Sequence, residues 1–300
     1  MLSLVQPLHF HVQIMDNIVP LQVTKSITSE VKYMENMIDS SKKSASVGDV
    51  LRFWRKLQKR SQMDLAYETG ISPKHLSFVE NGRSQPSRNL ILRLASSLQL
   101  PFRHSNNLLT VAGYSSEFSE EPFSSENMGL IRMAQERMIK SHEPFPAFVI
   151  NSEYTLLMKN AGYTQLVERL VGEEVANKYD NVYRMMFAED GLCQYVVDWE
   201  NIQKFVLGRL WEEAVITQNQ RLISLYEEIA PDSNQKYPSR SDQDSGLPVM
   251  ILTFEKDGVR ASFFTTITTL GTPLDLTTQE LRIESLFPAD DQTIRLFDSI

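Results

Sequence analysis

The run Ser61-Gln62-Met63-Asp64-Leu65-Ala66-Tyr67-Glu68-Thr69-Gly70-Ile71-Ser72-Pro73-Lys74-His75-Leu76-Ser77-Phe78-Val79-Glu80-Asn81-Gly82-Arg83 is punctuated twice in the same way. Ser61 with Asp64 three positions on is a capping box, which opens a helix by satisfying its first backbone donors. Leu65, Ala66 and Thr69 form the buried face of that helix, and Gly70 can take the left-handed conformation that ends it. Ile71 packs the turn. Ser72 is then a second N-cap, and Pro73 sits at the first helical position, where a missing N–H costs nothing. This next helix runs to Asn81 and is closed by Gly82. Leu76 and Val79 face inward, so Lys74, His75, Ser77 and Phe78 face outward.

The flanks complete a small bundle. Upstream, Val50, Leu51, Trp54 and Leu57 share one helical face, with Arg52, Arg55, Lys56 and Lys59 on the other. Downstream, Pro86-Ser87 opens a helix bearing Leu90, Leu94 and Leu98. Two short capped helices joined by a glycine-containing turn make a helix-turn-helix, whose second helix enters the DNA major groove. Charge agrees with this. The whole chain stands at −8, but Val47–Ser115 holds ten basic residues against four acidic ones, a net of +6 that leaves −14 for the rest. A basic module on an acidic body is the layout of a DNA reader with a separate effector domain.

These residues resemble the Cro/C1, or XRE, family of DNA-binding domains: Ser61 to Ala66, Gly70-Ile71-Ser72, Leu76-Ser77, Glu80 to Arg83, Pro86-Ser87, Leu90 and Leu94-Ala95. The resemblance covers about sixty residues. It implies that Gln62 touches DNA backbone or a base edge, that Lys74, His75 and Phe78 face base edges, and that Arg83 and Arg88 lie near phosphates. Ser72 and Ser77, on the same helix, join this DNA-binding set. Pro73 departs from the polar contact residue of many relatives. Phe78 can pack on a thymine methyl but reads no donor or acceptor, so base specificity leans on Lys74 and His75. Glu80 is read as structural, since an acid beside phosphate is repelled.

Outside this module (47–115), residues 1–46 form an extension without legible chemistry, and 116–126 read as a Ser/Glu-rich linker. From residue 127 to 300 the chain is mixed. Leu130, Ile131, Ala134 and Met138 recur at helical spacing. Ala147–Ile150 and Tyr154–Met158 read as strands around a short turn, and helical patterns cover Asn160–Val171 and Trp199–Ile229. After a polar stretch at 231–246, Val249–Phe254 and Val259–Thr269 flank Asp257-Gly258, a type I′ hairpin signal. Leu281–Phe287 is the last strand. Helices between strands give one α+β domain with an antiparallel sheet.

The stretch Ala261 to Phe287, with Phe263-Phe264-Thr265-Thr266-Ile267, Leu270-Gly271-Thr272-Pro273 and Glu280-Leu281-Arg282-Ile283-Glu284, resembles the effector domain of MmyB-like regulators. So do the Pro146-Ala147-Phe148-Val149 opening and Asp198-Trp199. The resemblance implies a PAS-like fold and a pocket that in some relatives holds a fatty-acid-like molecule. Phe148, Met158, Met186, Phe187, Trp199, Phe205, Leu210, Phe263 and Ile267 are candidates for its apolar lining, although Met and Phe at such spacings also build ordinary core. Two roles are open to Arg282: pairing with a ligand carboxylate, or neutralising Glu280 or Glu284.

Other classes find little support. Five scattered histidines and the single Cys193 provide no zinc-ligand spacing, and no nucleophile elbow, P-loop or dinucleotide fingerprint occurs. Adjacent acids such as Glu212-Glu213 diverge on a helix and read as a solvated face. No enzyme is expected, and no cofactor is required. One cysteine excludes an intramolecular disulfide and fits a reducing cytoplasm, and neither a signal peptide nor a membrane span is legible. The expected protein is a cytoplasmic homodimer that binds a double-stranded operator and senses a small apolar ligand. The alternative is a C-terminal domain serving only dimerisation or protein-partner binding.

Overall fold

A computed structural model describes residues 46–217, 219–230 and 249–298. The extension, apart from Ser46, and the polar stretch at 231–246 therefore lie outside the described residues.

The N-terminal module is five short helices, α1 (Val47–Leu57), α2 (Gln62–Glu68), α3 (Pro73–Glu80), α4 (Arg88–Ser97) and α5 (Phe102–Val111). Serine caps four of them. Ser46, Ser61, Ser72 and Ser87 each accept a bond from the backbone N–H three residues on, a contact worth about 1 kcal/mol per helix. Gly70 and Gly82, at φ +66° and +67°, end α2 and the α3 turn as read. Leu51, Leu65, Leu76, Leu94, Leu98 and Leu108 have no accessible surface, each contributing roughly 1.5–3 kcal/mol of burial. Gly48 allows α1 to cross the end of α3 closely, because a Cβ there would lie 2.5 Å from the Val79 carbonyl oxygen.

The C-terminal domain carries one five-stranded antiparallel sheet, β1 (Ala147–Ile150), β2 (Leu156–Lys159), β3 (Leu252–Lys256), β4 (Val259–Thr268) and β5 (Arg282–Pro288), in the order β2-β1-β5-β4-β3. Asp257 and Gly258 both have positive φ, as the β3–β4 turn requires. Helices α6 (Gly129–Ser141), α7 (Ala161–Val171), α8 (Glu173–Ala176), α9 (Val182–Phe187), α10 (Trp199–Ile216), α11 (Gln220–Ile229), α12 (Leu276–Glu280) and α13 (Asp291–Asp298) complete it. The pattern read as one helix from 199 to 229 is two helices.

Strand alternation gives the sheet two buried faces. Ala147, Val149 and Ile283 pack under Ile139 of α6 on the outer face. Phe148, Ile150, Phe263 and Leu286 turn inward toward α7, α9, α10 and α11. The phase expected for α6 is corrected: Leu130 and Met138 are exposed, and the sheet-facing positions are Gln135 and Ile139. A glutamine at a buried position hid the true stripe.

Candidate functional site

The expected DNA surface is assembled on α2, α3 and the turn after α3. Lys74 and Phe78, one turn apart, are exposed, with the Lys74 ammonium 5.7 Å from the centre of the Phe78 ring. His75 is half-buried on the same helix, and Arg83 is exposed just beyond it. Ser72 is occupied as the N-cap, accepting from the His75 backbone N–H at 3.1 Å. The Ser77 hydroxyl and carbonyl accept from the Asn81 amide. Gln62 donates to Glu80 at 2.7 Å, which aims its side chain from the start of α2.

Glu80 is the hub beneath this surface. Its side chain has no accessible surface, and Arg55 grips both carboxylate oxygens at 2.6 and 2.9 Å. Burial pushes its pKa up, but Arg55, Gln62 and Arg52 outweigh that and hold the carboxyl below its ordinary range. Arg55 is thus buried, which corrects its assignment to a solvated face. Other cations are also engaged: Arg60 with Glu68, Arg88 with Glu117, and Arg52 with Glu80 and Asn81. Arg88, expected near phosphate, is therefore held by the segment read as a linker.

That segment is strapped down. Asn106 of α5 donates to the Phe118 carbonyl and accepts from Glu117 and Phe118, and Phe118 stacks on Phe102 at 3.9 Å. Asp275 takes bonds from Ser119 and the Glu121 backbone. Arg103 of α5 reaches across to Glu280 at the end of α12 through two bonds, 2.6 and 2.9 Å, and also pairs with Glu120. The Phe102 backbone N–H donates to Gln279 at 2.7 Å. Between the two bodies lies a cleft of about 440 Å³ whose wall includes Leu100, Phe102, Leu222, Pro273, Glu280 and Arg282.

Glu280 leads directly into the second site. Two residues on, Arg282 points inward from β5 and pairs with Glu213 of α10, whose other partner is the Tyr154 hydroxyl. Arg282 makes no ion pair with Glu280, which is taken by Arg103, and it acts on the Glu284 carboxyl only through space. Glu213 is buried, which corrects its reading as a solvated acid. Two residues further, Glu284 shares the inner face, opposite Phe148 on β1 and Ile267 on β4. Arg209, one turn before Glu213 on α10, and Tyr183 of α9, its ring tilted against Tyr154 with centres 4.2 Å apart, complete the group.

Arg209 is exposed and Glu284 and Tyr183 are half-exposed. Burial opposes the Arg209 charge, but Tyr183, Tyr154, Glu284 and Glu213 outweigh it and raise its pKa, while burial lifts the Glu284 carboxyl and pushes the Tyr183 hydroxyl up to about 12. Among the expected lining residues, Met186, Phe187, Trp199 and Phe205 keep partial exposure around this core, with Phe187 and Trp199 in edge contact at 5.0 Å. Phe148 is nearly covered against Tyr163. Three expectations are corrected. Met158 belongs to the outer-face core because it pairs with Val149, and Leu210 and Phe263 have no accessible surface, Phe263 being closed by Phe297. Arg209, Tyr154 and Tyr183 were not singled out from sequence, and Glu213 and Glu284 were named there only as a solvated acid and as a neighbour that could neutralise Arg282. Arg209 and Glu213, one turn apart in the largely apolar stretch Phe205–Ile216, are the signal that was available.

Comparison with known proteins matches residues 131–299 to the MmyB-like transcription regulator ligand binding domain and residues 51–104 to a helix-turn-helix. The chain belongs to the MmyB-like transcription regulators. It is a DNA-binding transcription regulator with a helix-turn-helix and a ligand-binding domain. The transcriptional regulator ClgR of Mycobacterium tuberculosis, in strains CDC 1551 / Oshkosh and H37Rv, is 40% identical over 55 residues, 18% of this chain and 49% of the relative. The match thus spans about half the length of these curated relatives. An RNA-binding light-oxygen-voltage receptor aligns over 90% of this chain and 69% of its own, at 12% identity and a TM-score of 0.24, too low to show a shared fold. Among the described residues, no helix is long and apolar enough to cross a membrane.

Proposed function

We propose that this regulator acts in the cytoplasm as a homodimer on a pseudo-palindromic operator, and that a small molecule in its C-terminal domain sets operator affinity. Half-sites about one helical turn apart would suit two copies of α3 in successive major grooves. Lys74 and His75 read bases, Gln62 and Arg83 meet the backbone, and Arg88 reaches phosphate only when Glu117 releases it. The ligand has a largely apolar body, of the fatty-acid-like kind that the family resemblance suggests, set against Met186, Phe187, Trp199 and Phe205.

One observation carries the coupling. Glu280, Arg282 and Glu284 follow one another at alternate positions, so the segment that holds Arg103 of the DNA-binding module runs straight into the inner face of the sheet. A ligand that shifts β5 moves Glu280 and therefore α5. Coupling of this kind is typically worth about 1–3 kcal/mol, or a 5- to 150-fold change in affinity.

The test is fluorescence anisotropy on an operator chosen by in vitro selection, with and without the small molecule extracted from the purified protein. A ligand-dependent shift in the wild type that shrinks in Glu280→Gln supports the reading. An operator affinity indifferent to every extracted compound would favour a C-terminal domain that serves dimerisation alone.

A further inference from the structure

The cleft between the DNA-binding module and the effector domain is built by both. Its volume of about 440 Å³ lies within the range of small-molecule sites, which form preferentially where domains meet. Leu92 of α4 and Leu100 supply apolar surface from the module, and Leu222 of α11, Leu270 and Pro273 supply it from the effector domain. Arg103, Glu213, Glu280 and Arg282 share the wall.

Those charges are already matched. Arg103 holds Glu280, and Arg282 holds Glu213. A carboxylate entering the cleft would meet two acids whose cations are spent, and an ammonium would meet two spent cations. Either would lose water without gaining a partner, which is costly. Neutral hydrogen-bonding capacity remains. Arg282 spends Nη1 on Glu213 and Tyr154 and Nη2 on Glu213, and its Nε–H has no acceptor among the described residues. That nitrogen is not sealed, so it reaches open space, and the open space beside Arg282 is this cleft. At 6% exposure the residue is largely shut off from bulk water, so an occupant of the cleft is the acceptor it lacks. Ser96 and Gln99 from the module and Thr269 from the effector domain are exposed in the same wall, and their side chains bond to no other described residue.

We infer that the cleft binds an uncharged molecule with an apolar body and an amide-like carbonyl, the carbonyl on Arg282 and the body between Leu100 and Leu222. This site is separate from the apolar surface at Met186, Phe187, Trp199 and Phe205, and it adds to the sensor reading above without resting on it. A molecule that touches both bodies binds their docked arrangement and stabilises it.

The test uses the full chain and two sets of probes matched in shape: naphthalene-2-carboxamide, 2-naphthoate and 2-naphthylmethylamine, then biphenyl-4-carboxamide, biphenyl-4-carboxylate and biphenyl-4-methylamine. Affinity is read by ligand-observed NMR titration, which reaches weak binders. In at least one set the amide is expected to bind at least tenfold more tightly than both its charged partners. Ser96→Trp and Thr269→Trp fill the cleft from exposed positions on opposite sides. Each is expected to weaken amide binding at least tenfold, with far-UV circular dichroism unchanged. The bound amide is also expected to slow hydrogen exchange in the strap at 116–126 and in α12, which hold the two bodies together. Charged probes binding as tightly as the amides, an amide affinity unmoved by either tryptophan, unchanged exchange in the strap, or no saturable binding in either set would overturn the inference. Amide binding lost in Thr269→Trp alone would place the molecule within the effector domain and overturn it as well.

Discussion

Replacing Glu80 tests whether the recognition helix is held from beneath by a buried charge pair. In Glu80→Ala Arg55, a residue only 9% exposed, loses its bidentate carboxylate, and Gln62 loses its acceptor. Breaking a buried pair by removing one member costs about 3–5 kcal/mol, because an uncompensated charge remains. At 1.4 kcal/mol per tenfold that is roughly two to four orders of magnitude in local opening. Hydrogen exchange of peptides from α1 and α3, followed by mass spectrometry, reads it without requiring the whole chain to unfold in one step. The double variant Arg55→Met/Glu80→Met removes both charges at similar volume and should recover at least half the loss. Acid provides a second check. The folded Glu80 carboxyl lies below its ordinary value of 4.5. Its stabilisation is therefore full above that pH and is lost as pH falls through the folded value. The gap between wild type and Glu80→Ala should close in the same window. A loss below about 1 kcal/mol, the range of solvent-exposed pairs, would refute the buried-hub reading.

Three further outcomes are expected. His104, buried against Trp54, has its pKa pushed down to about 4 by burial and by Arg103; the unfolded chain takes its proton near 6.5, so stability should fall by about 3 kcal/mol as pH drops from 6.5 to 4, and urea titrations of His104→Gln should show that slope gone. Gly162→Ala should destabilise the C-terminal domain by about 1–3 kcal/mol in thermal unfolding, since its Cβ would lie 2.2 Å from the Pro144 carbonyl oxygen; an unchanged transition would mean that the α7–Pro144 approach is looser than drawn. Operator binding should show a log–log salt slope near −4 per DNA-binding module, from about four phosphate contacts, and a slope near −9 would mean that the paired arginines also reach DNA.

The sequence made some of this legible and hid the rest for identifiable reasons. Caps and turns are local, so Ser61, Ser72, Gly70, Gly82 and Asp257-Gly258 fell where the spacing placed them. The sheet was legible as antiparallel strands, while its order, with β5 central, depends on pairings more than a hundred residues apart. Site residues failed where a charge is buried. Arg55 and Glu213 look like solvated residues in isolation, and only the tertiary partners Glu80 and Arg282 make them interior. Apolar residues failed in the opposite sense. Met158, Leu210 and Phe263 have the composition of a pocket lining, but sheet face and closure by Phe297 decide what a ligand can touch.

The same distinction governs the charge available for DNA. Ten basic residues in the module suggest a strong phosphate footprint, but Arg52, Arg55, Arg60, Arg88 and Arg103 already hold acids. Among the described residues, Lys59, Lys74, Arg83 and Arg93 make no ion pair. Arg55 and Arg60 are tied within the module, so DNA cannot recruit them without opening its core. Arg88 and Arg103 differ, because their partners Glu117, Glu120 and Glu280 lie in the strap and the effector domain. Those acids compete with phosphate for the same two cations. Undocking the effector domain would release both, steepening the salt slope by about two. A ligand that displaces Glu280 should therefore change the salt dependence of operator binding as well as its strength. A shift in affinity at constant slope would instead place the coupling in the relative orientation of the two recognition helices.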